Sequence, residues 1–208
     1  MLHTEALVPG TLPILERLMR MEPLDGFHLV GGTALALRHG HRISVDIDLF
    51  GPDLEQEALV SALEREFGGS FRYEPPPGKS IGIFCFVDEV KLDIVRYQHE
   101  MISDLEVTDG IRLYSDDDIG AMKIQAILSR GKKKDFWDLA ELLQHHPLSR
   151  IIANHEKKFP NQMYAISTPN ALIYFVDADK SETPVCLKGR TWAEVKEIVR
   201  DAVDHYLR

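Results

Sequence analysis

The sequence predicts an α+β fold, in which an α/β N-terminal half with a small mixed sheet precedes a helical C-terminal half. Short apolar runs and period-2 alternation dominate residues 1–114, whereas residues 115–208 mainly show the spacing of amphipathic helices. The 208 residues are 44% hydrophobic and 27% charged, which is typical of a chain that buries an ordinary core. We therefore expect two units, 1–114 and 115–208.

The first elements lead to a double glycine. Apolar residues at helical spacing predict a helix over residues 9–21, and the apolar run 27–30 predicts a short strand. Gly31-Gly32 follows this run at once and indicates a tight turn. We expect a second helix over residues 33–39, so that the chain passes from strand to turn to helix.

A strand with one polar face is predicted over residues 45–50. Asp46 and Asp48 alternate there with apolar residues. Side chains two apart in a strand point to the same face, about 6.6 Å apart along the chain, so the two carboxylates project together. A slip of one residue in the strand register would bury both acids. Because burying unpaired charges is costly, the register that leaves both acids on the polar face is strongly favoured.

The rest of the N-terminal half combines one helix with three extended segments. Gly68-Gly69 closes the helix at its C-terminal end. The helix is predicted over residues 54–67, and the extended segments over 70–73, 81–87 and 90–97.

The C-terminal half begins at a helix cap, where Ser115 is followed three residues later by Asp118. Pro169 indicates a further helix start, and Thr191 with Glu194 forms a capping box for the last helix. The residues between 177 and 189 are expected to form a loop. The other predicted helices span residues 119–129, 134–144 and 148–159.

The paired carboxylates are candidates for binding a metal ion. Two like charges this close raise each other's proton affinity unless a cation neutralises them. Mg²⁺ prefers oxygen ligands and completes its shell with substrate phosphates, and Mn²⁺ is a similar candidate. Asp93 lies on the predicted strand 90–97 and is a third candidate ligand. We therefore predict a divalent-metal site at Asp46, Asp48 and Asp93.

The double glycine is a candidate for binding phosphate. Glycine lets backbone approach a phosphate closely, and the start of the following helix offers unpaired N–H groups. Thr33 and Ser44 add hydroxyl groups. Arg42 reaches a phosphate, forms a salt bridge or lies in a solvated loop. The common phosphate-loop and GxGxxG motifs are absent from the sequence, so they do not explain this pattern.

A calcium loop is a rival interpretation of the same acids. The segment 46–57 has acids at positions 1 and 3, Gly51 at position 6 and Glu57 at position 12. Phe50 occupies position 5, where that pattern requires Asp or Asn. The segment also lacks a long entering helix, so the metal-phosphate interpretation is preferred.

These motifs together resemble the AbiEii/AbiGii-type toxin family of polymerase-β-like nucleotidyltransferases. The resemblance rests on LVGGTALAL at residues 29–37, GHR at 40–42 and SVDIDLF at 44–50. It continues through DIGAMKIQA at 118–126, RGKKKDFWDL at 130–139 and YFVDA at 174–178. The implied fold is a nucleotidyltransferase-like catalytic domain followed by a helical domain.

The resemblance also implies roles for individual residues. Lys123 would neutralise phosphate charge, although a lysine among apolar helix neighbours also commonly extends to solvent. Asp135 would complete the site, although it equally suits a helix N-terminus. The third acid is therefore Asp93, Asp135 or both. By the same resemblance, metal would bind Asp46 and Asp48, and triphosphate oxygens would bind Gly31, Gly32 and Ser44.

The implied function is metal-dependent transfer of a nucleoside monophosphate from an NTP to an acceptor hydroxyl, which could belong to tRNA or another nucleic acid. The resemblance also implies a toxin paired with a cognate antitoxin protein. Two alternatives remain: a nucleotidyltransferase acting on a small molecule, and a non-catalytic module that binds a nucleotide or a partner. Retention of the acids Asp46 and Asp48 argues against the second alternative.

Charge and hydropathy limit the partners. A net charge of −9 provides no global attraction for nucleic acid, so any such contact needs a local patch. The basic run from Arg130 to Lys134 is the candidate, with a solvated loop as the alternative. No stretch approaches the roughly 20 apolar residues that span a bilayer, and the start lacks a signal-peptide pattern. We expect a cytoplasmic protein without a membrane partner.

Overall fold

The computed structural model describes residues 1–53, 55–78, 80–160, 162 and 166–208. Within these residues a seven-stranded mixed sheet forms the centre of the fold. Its strands are β1 His28–Leu29, β2 Asp46–Gly51, β3 Phe71–Tyr73, β4 Gly82–Val87, β5 Val90–Arg96, β6 Glu106–Thr108 and β7 Ile111–Leu113. Their order is β3-β4-β5-β2-β1-β7-β6. The β2–β5 and β1–β7 pairs are parallel, and the other neighbours are antiparallel.

Helices pack around this sheet. They are α1 Thr11–Met19, α2 Gly31–His39, α3 Gln56–Phe67, α4 Asp116–Ser129, α5 Lys133–Leu142, α6 Leu148–Lys158, α7 Thr168–Leu172, α8 Val176–Asp179 and α9 Trp192–Tyr206. The α+β fold class is therefore confirmed, with α4 to α9 following the last strand. No helix among the described residues combines the length and apolar character that crossing a membrane requires.

The period-2 pattern of the central strands separates a core face from a polar face. Ile47 and Leu49 in β2, and Leu92 and Ile94 in β5, are buried on the core face. The acids of these strands therefore point to the opposite face. This separation leaves the carboxylates available to the cleft between the sheet and the helices α4 and α5.

The helical half packs closely against the sheet half. Helix α4 contacts α5, α6 and α2, and the indole of Trp137 stacks on that of Trp192 in α9 at 5.6 Å. Arg38 in α2 forms an ion pair of 2.5 Å with Asp116 in α4. One continuous hydrophobic core includes residues from both halves. The division at 114/115 stays a prediction.

Several element boundaries differ from the predicted ones for local reasons. Gly31-Gly32 forms the first turn of α2 instead of a separate turn before it. The helix predicted over 54–67 begins at Gln56, and Leu54 lies outside the described residues. The strands β6 and β7 were not predicted, although Asp109-Gly110 between them, both with positive φ, is a common hairpin signal.

The segment predicted as a loop between 177 and 189 differs in two respects. Its first residues belong to the short helix α8. Further on, Cys186 forms an isolated antiparallel bridge with Arg42. The chain therefore returns to the N-terminal half at this point.

Candidate active site

Three carboxylates meet on the polar face of the two central parallel strands. Asp48 in β2 lies opposite Asp93 in β5, and Asp46 lies opposite Lys91. Neighbouring strands run about 4.8 Å apart, and residues paired in register point to the same face. The fold therefore brings Asp93 beside the Asp46/Asp48 pair.

The electrostatics of this group favour a bound cation. Burial raises the pKa of Asp48, and the nearby charges of Asp93 and Asp46 raise it further. Lys91 forms an ion pair with one oxygen of Asp93. The other oxygen, Oδ1, is buried and lacks a hydrogen-bond partner among the described residues. A hard divalent cation is a suitable partner for such oxygens.

The double glycine lies directly against this group. Gly31 has φ of +70°, and a Cβ there would stand 2.7 Å from Oδ2 of Asp48. A Cβ on Gly32 would overlap the guanidinium of Arg42. Both positions therefore require glycine, and the start of α2 approaches the carboxylates more closely than any other residue would allow.

Thr33 and Ser44 lie beside the strand that carries Asp46 and Asp48. The hydroxyl of Thr33 is 2.8 Å from that of Ser44, and it donates to the backbone carbonyl of Asp46. Thr33 is buried and does not line the cleft, whereas Ser44 does. Because Thr33 donates to Asp46, Ser44 donates to Thr33, and the two hydroxyls together position the start of β2 beside the cleft.

Asp138 holds three basic side chains behind the site. Arg42 donates from Nε and Nη2 to its two oxygens at 2.6 and 2.9 Å. Lys123 Nζ is 2.6 Å away, and His41 Nε2 is 2.8 Å away. Burial acts to raise the pKa of Asp138, but Arg42 and Lys123 outweigh it and hold the pKa well below its ordinary value. Arg42 therefore forms the salt bridge that was one of its predicted roles.

Asp138 was not among the predicted site residues. The available signal was an acid within the apolar stretch Phe136 to Leu139, where the buried face of α5 leaves no water to solvate a carboxylate. An acid at such a position requires a buried cation. The sequence alone does not identify which cation.

Asp135 is held by two basic side chains. It is buried, and Arg130 donates to both of its oxygens at 3.0 and 2.9 Å. Lys123 Nζ is 3.4 Å from Oδ1. Burial acts to raise the pKa of Asp135, but Lys123 and Arg130 lower it overall. Asp135 thus orients two cations, whereas Asp93 lies next to Asp48.

A cavity of about 330 Å³ opens beside these residues. Its lining combines the polar groups just described, including Lys123 and Arg130, with aromatic rings. The rings and neighbouring apolar side chains are Phe50, Tyr97, Met122, Ala126 and Phe159. A molecule with a flat apolar part and an anionic part would match this lining.

The calcium-loop interpretation is wrong. Residues Asp46–Gly51 form a strand that pairs with β1 on one side and β5 on the other. Such a paired strand cannot wrap around an ion with its successive oxygens. The acids Asp46 and Asp48 therefore act from a strand face.

The side chains of the basic run 130–134 contact different parts of the structure. Arg130 pairs with Asp135, and Lys133 Nζ is 3.1 Å from the hydroxyl of Thr183. Lys134 Nζ is 3.4 Å from Oδ2 of Asp46. Lys132 is exposed. Members of the run therefore border the candidate site, and a role for the run as a nucleic-acid patch stays a prediction.

Comparison with known proteins connects this geometry with a family. Residues 13–162 match the family model described as nucleotidyl transferase AbiEii toxin, type IV toxin–antitoxin system. An uncharacterised protein, aq_aa25 of Aquifex aeolicus (strain VF5), is 31% identical over 198 residues, which cover 93% of this chain and 94% of that protein.

Solved structures share the fold at low sequence identity. JHP933 from Helicobacter pylori has a TM-score of 0.58 at 18% identity, covering 92% of this chain and 86% of its own. A putative nucleotidyltransferase from H. pylori has a TM-score of 0.57 at 16% identity, covering 92% and 89%. MenT4, a nucleotidyltransferase toxin from Mycobacterium tuberculosis H37Rv, has a TM-score of 0.53 at 12% identity, covering 92% and 80%.

Proposed function

The chain belongs to the AbiEii family of nucleotidyltransferase toxins, and we propose that it is a metal-dependent enzyme that transfers a nucleoside monophosphate from an NTP to an acceptor hydroxyl. The observation that carries the proposal is the group of three carboxylates on β2 and β5, beside a glycine turn that only glycine can form. This arrangement combines a cation site with backbone that can approach a phosphate.

Asp46, Asp48 and Asp93 would hold Mg²⁺ or Mn²⁺. The donors fit, because three carboxylates share one face and one buried oxygen of Asp93 has no hydrogen-bond partner among the described residues. Such an ion, when bound, neutralises phosphate charge and polarises the α-phosphate. In its absence, the repulsion between these acids is opposed by nearby cations, among them Lys123, Lys91 and Arg130.

The protein's own residues bind and orient the NTP. Gly31 and Gly32 bring the start of α2 against the phosphates, and Ser44 lines the cleft beside them. Lys123 lines the cavity with its ammonium group fixed by Asp138 and Asp135. Because this charge is already in position, no reorganisation is needed when negative charge develops on the phosphates.

The reaction breaks one bond and forms another at the α-phosphorus. The acceptor oxygen attacks, the bond from the α-phosphorus to the bridging oxygen of the β-phosphate breaks, and pyrophosphate leaves with the bonding electrons. The hydroxyl proton passes to the Asp93 carboxylate and from there to solvent.

We assign a nucleic acid, such as tRNA, as the acceptor and a cognate antitoxin protein as the partner, with both acting in the cytoplasm. The family description supports a toxin–antitoxin setting. Lys132 and Lys134 supply positive charge beside Asp46 in a chain whose net charge is −9. The molecule as a whole repels a polyanionic substrate, so attraction of such a substrate would come from this local positive charge.

The test is incubation of the purified protein with each labelled NTP, Mg²⁺ or Mn²⁺, and either total tRNA or a mixture of small metabolites. The control is the double variant Asp46→Ala/Asp48→Ala. Label transfer to tRNA that is lost in the variant supports the proposal. Absence of transfer and of metal-dependent NTP binding would favour a non-catalytic module.

Salt dependence distinguishes the two acceptor classes. Transfer to a polynucleotide should weaken steeply as salt increases, because each phosphate contact releases counterions. Transfer to a neutral metabolite should change little over the same range. Label on the small metabolites with a flat salt response would replace the nucleic-acid acceptor by a small molecule.

A further inference from the structure

Three histidines lie together at the ends of two helices, away from the carboxylates of the central strands. His39 is the last residue of α2, and His145 and His146 follow the end of α5. Both helices begin beside the candidate active site, α2 at Gly31 and α5 near Lys134. At about 1.5 Å per residue, the length of α2 separates the histidines from the glycine turn by about 12 Å.

The side chains at these helix ends include the donor atoms that a transition metal binds. One ring nitrogen of His39, one ring nitrogen of His145 and one carboxylate oxygen of Glu141 lie within 4.8 Å of one another. Glu141 belongs to the last turn of α5. Zn²⁺ binds imidazole nitrogens together with a carboxylate oxygen, whereas Mg²⁺ prefers oxygen ligands. The donor set therefore differs in kind from the three carboxylates on β2 and β5.

Asp116 in the first turn of α4 orients the ring of His39. Its Oδ2 is 2.9 Å from Nε2 of His39. Burial acts to raise the pKa of Asp116, but His39 and Arg38 outweigh burial and lower the pKa, so the ionised carboxylate accepts the Nε2 proton. In the neutral ring Nδ1 then carries the lone pair, and it makes no hydrogen bond among the residues that the structure describes. A histidine that binds metal is usually supported by a carboxylate in this way.

The charges around Glu141 leave room for a cation. Lys188 donates to Oε1 at 2.7 Å and Arg190 donates to Oε2 at 2.6 Å, so the four lone-pair positions of the carboxylate are not filled. The two basic groups oppose a bound metal, but Lys188 is 38% exposed and its charge is screened by water. The C-terminal ends of α2 and α5 add negative partial charge, which favours a cation.

Binding requires a local movement of His145. A tetrahedral ion with bonds of about 2.0–2.1 Å to nitrogen holds its ligand atoms about 3.4 Å apart. The rings of His39 and His145 are stacked, with 4.6 Å between their centroids and 20° between their planes, so their lone pairs do not yet converge. The side chain of His145 is 44% exposed beyond the end of α5, whereas Glu141 is buried. Rotation of the His145 side chain therefore completes the site without moving either helix.

We propose that His39, His145 and Glu141 bind a transition-metal ion of the Zn²⁺ type, with Asp116 orienting His39 and water completing the coordination. This site is separate from the Mg²⁺ or Mn²⁺ site on β2 and β5, and it does not depend on nucleotidyl transfer. The ion joins the end of α2 to the end of α5. These helices also carry the glycine turn and the buried acids behind the candidate active site, so the ion braces both of them.

The first test is calorimetric titration of Zn²⁺ into protein that carries Asp46→Ala/Asp48→Ala and was purified without a histidine tag. This background removes two of the three carboxylates on the strands, so Zn²⁺ bound there is not mistaken for the proposed site. We expect one Zn²⁺ per chain. Because the ion binds only the folded protein, Zn²⁺ should also raise the urea midpoint of this background, whereas Mg²⁺ should not.

Variants in the same background assign the ligands. His39→Ala/His145→Ala should weaken Zn²⁺ binding by more than about 100-fold, and Asp116→Asn, which removes only the supporting carboxylate, by about 10–100-fold. The matched control His205→Ala, at an exposed position on α9, should leave the affinity unchanged. Unaltered binding in His39→Ala/His145→Ala would overturn the proposal. So would the absence of binding at about 0.1 mM Zn²⁺ in the parent protein.

X-ray absorption at the zinc edge gives a readout that needs no variant, so it applies even if the histidine variant does not fold. The unaltered protein with one equivalent of Zn²⁺ and excess Mg²⁺ should show scattering from two imidazole rings at the bound ion. Zinc surrounded by oxygen atoms alone would reject the histidine site. None of these measurements involves turnover, so their outcome is independent of whether the protein transfers a nucleotide.

Discussion

Asp48 lies opposite Asp93 on two parallel strands, so two acids share one largely buried face with Asp46 beside them. Such an arrangement costs stability when no cation is bound, because burial and the charge of Asp93 both oppose ionisation of Asp48. The protein retains these charges despite that cost. Sites that sacrifice stability in this way are typically functional.

Asp48→Asn should therefore abolish transfer and also stabilise the metal-free protein. The amide keeps the shape of the carboxylate and removes the repulsion with Asp93, so we expect the free energy of unfolding to rise by about 1 kcal/mol. Urea denaturation with a chelator present, beside the transfer assay, measures both effects. A less stable variant would mean that Asp48 serves the fold and not the chemistry.

Asp138→Asn should strongly destabilise the protein. The substitution leaves Arg42 and Lys123 without their shared buried counter-charge, and breaking one partner of a buried ion pair typically costs about 3–5 kcal/mol. Asp204→Asn, at an exposed position on α9, should change stability by less than about 0.5 kcal/mol. Denaturant titration of both variants checks this. Equal stabilities would show that the Asp138 network contributes nothing.

Gly31→Ala should reduce activity far more than Gly10→Ala. Both glycines have positive φ, +70° and +91°, so both variants carry a similar backbone strain of about 1 kcal/mol. Only at Gly31 does the new Cβ meet the Asp48 carboxylate, whereas nothing lies within 4 Å at Gly10. We expect kcat/KM to fall on the order of 10²-fold in Gly31→Ala alone. Similar activities in the two variants would refute a role for this close approach.

Glu141 should make the protein sensitive to acid. Burial acts to raise its pKa, but hydrogen bonds from Lys188 and Arg190 outweigh burial and lower the pKa to about 2. The folded pKa lies below the unfolded value, so this stability is present above about pH 4.5 and is lost as pH falls toward 2. The loss should reach about 1–3 kcal/mol, allowing for partly exposed partners.

Unfolding measured between pH 6 and pH 2.5 in the wild type and in Glu141→Gln tests this. The variant should be less stable near neutral pH, and the difference should narrow as pH decreases. A constant difference across the range would mean that Glu141 is not ionised in the folded protein.

The sequence predicted those parts of the site that are local in the chain. The alternation around Asp46 and Asp48 defines a strand and its polar face, and Gly31-Gly32 follows a short apolar run. Strand periodicity and glycine geometry are properties of a few consecutive residues. Both features therefore appear in the structure close to where they were expected.

The parts that were not predicted depend on contacts distant in sequence. Asp138 meets Arg42 across 96 positions, and no local pattern connects an acid on α5 with an arginine before β2. Residues 185–187 pair with residues 41–43 through backbone hydrogen bonds, which any sequence can form. Such pairings are decided by the packing of the whole chain.

The pairing of residues 185–187 with residues 41–43 also determines when the site can be completed during translation. The carboxylates and the glycine turn leave the ribosome early, whereas residues that pair with Ile43 follow about 140 positions later. At a synthesis rate of roughly 5–20 residues per second, a nascent chain carries the acids for several seconds before this backbone pairing can form. A newly made chain would thus complete its candidate active site only late in its own synthesis.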